Sequence, residues 1–286
     1  MSNAKKKTGL WLDVWKRLKK NRMAMFGLIT IILLSICAIF ADYIAPYGYD
    51  DQDLSRSFLL PCKEHIFGTD NFGRDIFSRI IYGSRISLTV GFFAVGFAIV
   101  VGGILGAIAA FYGGKTDNII MRAMDILLAI PGMLLAIALA AALGPGLRNM
   151  MIAIGVGSIP RYARVVRASV LTVREEEFVE AAISIGASDA RIIFSHIIPN
   201  AMAPIIVQAT LGVASSILAT ATLSFLGLGI QPPIPEWGAM LSSARQYIRD
   251  YWHLTTFPGL MIMITVYALN VLGDGLRDAL DPRLKN

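Results

Sequence analysis

Uncharged positions along this chain gather into five long runs, at 23–41, 86–114, 126–147, 197–235 and 254–273, of 19, 29, 22, 39 and 20 residues. A bilayer core of about 30 Å takes about 20 apolar residues at about 1.5 Å each, so every run is long enough for a membrane-spanning helix. The 39-residue run is too long for one span and is expected to hold a span with flanking segments. A sixth stretch is shorter, with only twelve uncharged residues between Arg148 and Arg161. By length alone it suits a buried core helix or a re-entrant piece as well as a span.

The charges between the runs decide that case. Lys5, Lys6, Lys7, Lys16, Arg17, Lys19, Lys20 and Arg22 precede the first run, and basic flanks stay on the cytoplasmic side. The third run then leaves the membrane outward near Leu147. Arg161, Arg164, Arg167, Arg174 and Arg191 form the next basic cluster and belong inside, so the chain must cross at about 149–166. Arg161 and Arg164 are expected near the inner end of that crossing, where long side chains reach the headgroups. Arg277, Arg283 and Lys285 then place the C-terminus inside as well. On this topology eighteen of the 26 Lys and Arg face the cytoplasm. The expectation is an all-α membrane protein of about six transmembrane helices with both termini cytoplasmic. Its segments are a cytoplasmic start at 1–22, a first transmembrane helix at 23–45, an outer loop at 46–85, a five-helix core at 86–277 with a cytoplasmic loop at 168–199, and a tail at 278–286.

Composition agrees. Hydrophobic residues make up 55% and charged residues 16% of the chain, and the mean hydropathy of +0.61 lies outside the soluble range. A net charge of +6 is compatible with nucleic-acid binding, but the Lys and Arg flank apolar runs and no basic groove interleaved with aromatics is visible. The basic start followed by an apolar run is superficially like a secretory signal. That run is nearly as long as a full span and lacks a small-residue cleavage site, so it reads as an uncleaved first span. Ser2-Asn3-Ala4 is compatible with a remnant of expression as well as with native sequence. Cys37 lies in an apolar run and Cys62 in a polar segment, and no disulfide between them is expected. Small residues, as in Gly102-Gly103-Ile104-Leu105-Gly106-Ala107, predict closely packed helices. Pro131 and Pro258 are candidate kinks.

The segment REEEFVEAAISIGASDARIIFSHIIPNAMAPI, from Arg174 to Ile205, is polar enough to lie outside the bilayer. Its first part predicts a short helix with Phe178, Ala181, Ala182 and Ile185 toward one side. Glu175, Glu176, Glu177 and Glu180 crowd its N-terminal end, where the helix dipole favours negative charge. Gly186 breaks the helix, and Ser188 is a candidate N-cap for a second one that runs through Ile192, Ile193 and His196 to Pro199. An amphipathic connector lying on the inner leaflet has the same pattern. Acidic residues gain nothing from an anionic leaflet, however, so a protein partner explains the four Glu better.

Glu180-Ala181-Ala182, three further residues, Gly186, and twelve more to Pro199 have the spacing of the signature loop of ABC-importer permease subunits, which this segment resembles. HIFGTDNFGRDIFSRIIYGSRISLTVG from His65 and LSFLGLGIQPPIPEWGAML from Leu223 are similar to the dipeptide/oligopeptide/nickel branch, and the single span before a long outer loop resembles its second, C-type permease. The resemblance implies the type I importer permease fold. It implies that the loop around Glu180, Ala181, Ala182, Gly186, Ala187, Ser188 and Pro199 docks on an ATPase subunit. It further implies a second homologous permease as heterodimer partner, two ATPases that hold the ATP and magnesium, an extracytoplasmic substrate-binding protein and surrounding lipid, with no cofactor in this chain and no nucleic acid. Short peptides are the expected substrate, with nickel or a metal chelate as the alternative. Two positions depart from the family: Ile198 stands before Pro199 where Leu is usual. Thr220, or Ala219, stands where many relatives place a Glu, so any reading of a peptide amino end by that acid is missing here.

Other features carry less. Ala109 to Thr116 nearly spells a phosphate-binding loop, but Ala109 replaces its first Gly and it follows a membrane span. His65, His196 and His253 are expected far apart and on different sides of the membrane, which argues against a metal site. Arg122 with Asp125, and Arg277 with Asp274 and Asp278, have the spacing of local ion pairs on one helix face. The outer segment from Tyr47 to Arg85 suits either a docking surface or a packed cap. An ion-coupled transporter needs an ionisable residue near mid-membrane, and the five clear runs contain none. A purely structural scaffold leaves the acidic loop unexplained.

Overall fold

A computed structural model describes residues 10–281, which are almost wholly helical. Ser2, Asn3, Ala4, Lys5, Lys6, Lys7, Arg283 and Lys285 lie outside the described residues. The long helices are α2 (Arg22–Ile39), α4 (Ile76–Tyr112), α7 (Leu147–Arg174), α11 (Met202–Phe225) and α13 (His253–Leu280). Between them lie α1 (Leu10–Lys20), α3 (Ala41–Ile44), α5 (Gly114–Leu128), α6 (Gly132–Leu143), α8 (Glu177–Ser184), α9 (Asp189–Arg191), α10 (Ile198–Asn200) and α12 (Trp237–Ala244). Four of these, α2, α4, α11 and α13, are long and apolar enough to cross a membrane, and α5 with α6 makes a fifth if that bent pair is one span.

The run at 126–147 is not a single straight span. It covers only the end of α5 and all of α6, whose axes differ by 82°. Pro131 stands at the break with ψ 126°, having no N–H to continue the ladder and a ring that clashes with a preceding helical turn. Gly144 and Gly146, at φ +85° and +138°, then stop α6 after 12 residues, about 18 Å of helix. Pro258 sits inside α13 and Pro160 inside α7, and both helices run on unbroken.

Two further boundaries shift. α4 starts ten residues before its uncharged run, because Asp75 caps it, Oδ2 accepting from the Ser78 N–H at 2.7 Å. Its 37 residues reach about 55 Å, well beyond a bilayer core, and the excess carries Arg79 and Arg85 into the outer cap. α7, at 28 residues, is long enough to cross but carries Arg148, Arg161, Arg164, Arg167 and Arg174, so apolar content alone does not mark it.

α7 packs along α4, and the small residues explain how closely. A Cβ on Gly102 would stand 2.6 Å from the Ile159 carbonyl oxygen, and one on Gly106 would overlap the Ala163 carbonyl. Backbone meets backbone at this seam, which is what helices exploit where lipid gives no hydrophobic drive. The main core joins α2, α4, α7, α11, α12 and α13 around Tyr162, Ile217, Trp237 and Leu269. At the N-terminus, Val14 and Leu18 of α1 pack on Ala24, Leu272 and Ala279.

The segment from Tyr47 to Arg85 folds as a packed cap with α12 and the start of α13. Asp75 bonds His65 Nδ1 at 2.9 Å, Asp70 bonds Arg74 at 2.7 Å, and Arg79 donates to the Tyr49 carbonyl at 2.6 Å. Trp237, fully buried, donates to the Ile80 carbonyl at 3.1 Å. His253 lies against Gly68 and 3.3 Å from the Thr69 carbonyl. His65 and His253 therefore share this one cap, contrary to the expectation that all three histidines are scattered across the membrane. The cap's closing turns draw their chain together, and that the sequence spacing of 188 residues does not show.

Candidate functional site

The acidic segment forms a helical hairpin fixed to one end of the bundle. α8 ends in a Schellman motif: the Ala187 N–H bonds the Ala182 carbonyl at 3.1 Å and the Gly186 N–H bonds the Ile183 carbonyl at 2.9 Å. Gly186 takes φ +75°, which a side chain resists, and nothing of this chain lies within 4 Å of where its Cβ would be. The glycine serves the turn and leaves open space beside it. Ser188 occupies the N-cap position of α9 with its carbonyl bonded to the Ile192 N–H at 3.0 Å, while its side chain caps nothing. From Asp189 the chain stays helical through a π-helical turn, Ile192–Ile197, into α10, which holds Pro199 on the surface.

Burial divides the expected apolar face of α8. Val179 and Ala182 are buried among Ala110, Val170, Ile192, Ile193 and Ile197. Phe178, Ala181 and Ile185 turn outward, Ile185 at 84% exposure, on the same surface as Glu180. α8 attaches by only a narrow two-residue stripe, so the rest of its apolar side is left bare. Polar anchors hold its base: Arg174 Nη1 donates to the Ala110 carbonyl at 3.0 Å and the Tyr112 hydroxyl to Asp189 at 3.0 Å. A partner pushing on Glu180, Ala181, Ile185 and Gly186 would thus move α4, α7 and α11 with them.

A cavity of about 320 Å³ opens on the other side of α7, between α6, α7 and α11. Its polar lining is Ser158, Arg161, Tyr162, Ser215 and Ser216, set among glycines and small apolar residues. The bend at Pro131 brings α6 into it, and a Cβ on Gly157 would stand 3.3 Å from the Gly132 carbonyl oxygen. Arg161 is the fifteenth of the 28 residues of α7, so it stands mid-helix and not at the inner end. Thr220 is fully buried with its hydroxyl tied to the Ser216 carbonyl at 2.8 Å, and Ala219 lines the cavity.

The ion pairs are not the local ones that spacing suggests. Asp125 pairs with Arg164 at 2.6 Å and Asp117 with both Nε and Nη2 of Arg167 at 2.6 and 2.5 Å, each bond bracing α5 on α7. Arg122 makes no ion pair, and Asp274, Arg277 and Asp278 form none among themselves among the described residues. A helix face offers i+3 neighbours, but a bidentate carboxylate across a helix seam is the stronger geometry. Of the cavity residues, sequence singled out Arg161 and Ala219 in other connections and missed Ser158, Tyr162, Ser215 and Ser216, although Ser215 and Ser216, with the nearby Gln208, interrupt an otherwise apolar run and Arg161 shares a spacing of three with Arg164 and Arg167.

Comparison with known proteins matches residues 98–286 to the binding-protein-dependent transport system inner membrane component family, and residues 9–61 to the N-terminal transmembrane domain of oligopeptide transport permease C. A dipeptide transport system permease of Alkalihalophilus pseudofirmus is 52% identical over 96% of this chain and 91% of its own length. A di/tripeptide transport system permease of Pseudomonas aeruginosa is 46% identical over 96% and 92%, and a glutathione transport system permease of Escherichia coli 48% over 96% and 91%. Among solved structures, an inward-facing methionine ABC transporter matches with TM-score 0.59 at 19% identity, over 71% of this chain and 96% of that one. An amino acid ABC transporter matches with TM-score 0.55 at 15% identity, over 71% and 94%. These likenesses show the fold.

Proposed function

The chain belongs to the family of binding-protein-dependent transport inner membrane components, as a multi-pass protein of the bacterial inner membrane, and on that premise we propose that it forms half of the pathway of an ATP-driven importer of short peptides. The observation that carries this reading is the hairpin of α8 to α10. It is rigidly tied to three long helices by one face and leaves Glu180, Ala181, Ile185 and the open turn at Gly186 bare on the other. Such a surface is incomplete without a protein partner, and the ATPase subunits that bind ATP and magnesium are its occupants. Two ATPases closing on each other press two such hairpins together and tip the helices from inward-facing to outward-facing, a rigid-body switch between two packings.

In this reading α7, the fourth crossing along the chain, brings the total to six, a second homologous permease completes the pathway, and a substrate-binding protein delivers peptide to the outer cap. The peptide substrate is taken from the names of the most similar relatives. Hydrolysis belongs to the ATPases; this chain transmits motion.

The test joins copurification with uptake. Gly186→Arg places a long side chain where a partner must approach. It is expected to lower uptake of labelled dipeptide at least about tenfold while the chain still inserts, an interface loss of about 1.4 kcal/mol or more. Wild-type uptake of nickel in place of dipeptide, or full dipeptide uptake by Gly186→Arg, overturns the reading.

A further inference from the structure

We propose that Arg161 is a substrate-binding residue of the transport pathway, receiving the free C-terminal carboxylate of the peptide in transit, an inference that rests on the peptide-importer reading. Three arginines stand at a spacing of three along α7, and the structure treats them differently. Arg164 and Arg167 each meet a carboxylate of α5, at 2.6 and 2.5 Å. Arg161, one turn further out, has no acidic partner among the described residues and faces the cavity. Its neighbour is neutral: with the Gln208 amide oxygen turned toward the guanidinium, that oxygen accepts from Nε at 2.7 Å and Nη2 at 2.8 Å.

That arrangement has a direction. Gln208 occupies the edge formed by Nε and Nη2 and holds the group in place, so the Nη1 donors of this cavity-lining residue have no bonded partner among the described residues. A guanidinium edge matches a carboxylate by two parallel hydrogen bonds. An arginine amid membrane-spanning helices is costly unless something uses it, and its two neighbours show that this helix is able to neutralise such charges when nothing else is required. Ser158, Ser215 and Ser216 supply neutral hydroxyls around the same space, and the Tyr162 hydroxyl donates to the Gln208 carbonyl at 3.3 Å, fixing the backbone behind the amide.

The opposite end of a peptide finds no counterpart. No carboxylate lines the cavity, and Thr220 has spent its hydroxyl on its own helix. This half of the pathway therefore distinguishes substrates by their carboxylate and is indifferent to their amino end. Arg161 binds, and Gln208 is a positioning residue.

The complete complex, with its binding protein, is reconstituted in proteoliposomes and given labelled alanyl-phenylalanine, its C-terminal amide and its N-acetyl form. Affinity of the binding protein for each is measured separately, since that protein is the same for every permease variant. Wild type is expected to carry the free acid about ten- to a hundredfold better than the amide after that correction, the range of a charged hydrogen-bonded pair. The N-acetyl form is expected to keep pace with the free acid. Arg161→Met is expected to lower acid uptake by a similar factor and to bring the acid-to-amide ratio near one, while Arg161→Lys keeps part of the preference. If Arg161→Met carries acid and amide in the wild-type ratio, the inference is overturned and the charge serves the contact with the second permease. If Arg161→Met carries neither, Arg161→Lys decides: a retained acid preference supports the inference and its loss overturns it. A wild-type complex that carries none of the three peptides overturns the peptide reading along with this one.

Discussion

The cap and the hairpin are both short pieces stapled onto the ends of the same long helices, and they are finished to opposite degrees. In the cap, charged groups that have left water meet partners within it: Asp75 with His65 and Ser78, Arg74 with Asp70, Arg79 with the Tyr49 carbonyl, Glu236 with the Ala239 N–H at 2.8 Å. In the hairpin, Val179 and Ala182 are buried while Ile185, Phe194 and four glutamates are left to solvent. A region whose buried charges are paired internally holds shape, even though the buried His65 Nε2 and His253 Nδ1 have no hydrogen-bond partner among the described residues; bare apolar and acidic surface is of the kind that partners cover.

Three substitutions sharpen or break that contrast, the largest first. Trp237→Ala removes a fully buried indole from the junction of cap and bundle, and is expected to cost about 3–5 kcal/mol, read as a fall in the Tm of the detergent-purified complex. A shift no larger than that of a surface substitution would mean that the cap is not structural. Asp75→Asn keeps the shape but weakens the cap of α4 and the bond to His65, with an expected loss of about 1–3 kcal/mol by the same measurement. Ile185→Ser, at 84% exposure, is expected to change stability by less than about 0.5 kcal/mol. It should nonetheless reduce the ATPase retained on copurification, and unchanged retention would remove Ile185 from the docking surface.

Much of the architecture was legible in the linear pattern. The apolar runs marked the long helices, and the stretch that follows Arg148 is indeed part of a long helix, α7. Gly186 between two helical stretches forecast the hairpin, because the turn is a local backbone requirement. Other positions were read wrongly for equally physical reasons. A run of uncharged residues does not show that Pro131 turns the helix by 82°. A helical wheel of α8 groups Phe178, Ala181, Ala182 and Ile185, yet which of them is buried depends on where α9 and α7 lie.

What the sequence determined by itself is what depends on neighbours along the chain: helix existence from runs of apolar residues, and the turn from a glycine. Tertiary structure alone decided the charges and the cavity. Asp125 meets Arg164 across 39 residues and Asp117 meets Arg167 across 50, leaving Arg161 without a carboxylate beside a space walled by three helices. Coulombic and hydrogen-bond energies depend on distances of a few ångströms between side chains on different helices, and only the packing of those helices sets such distances.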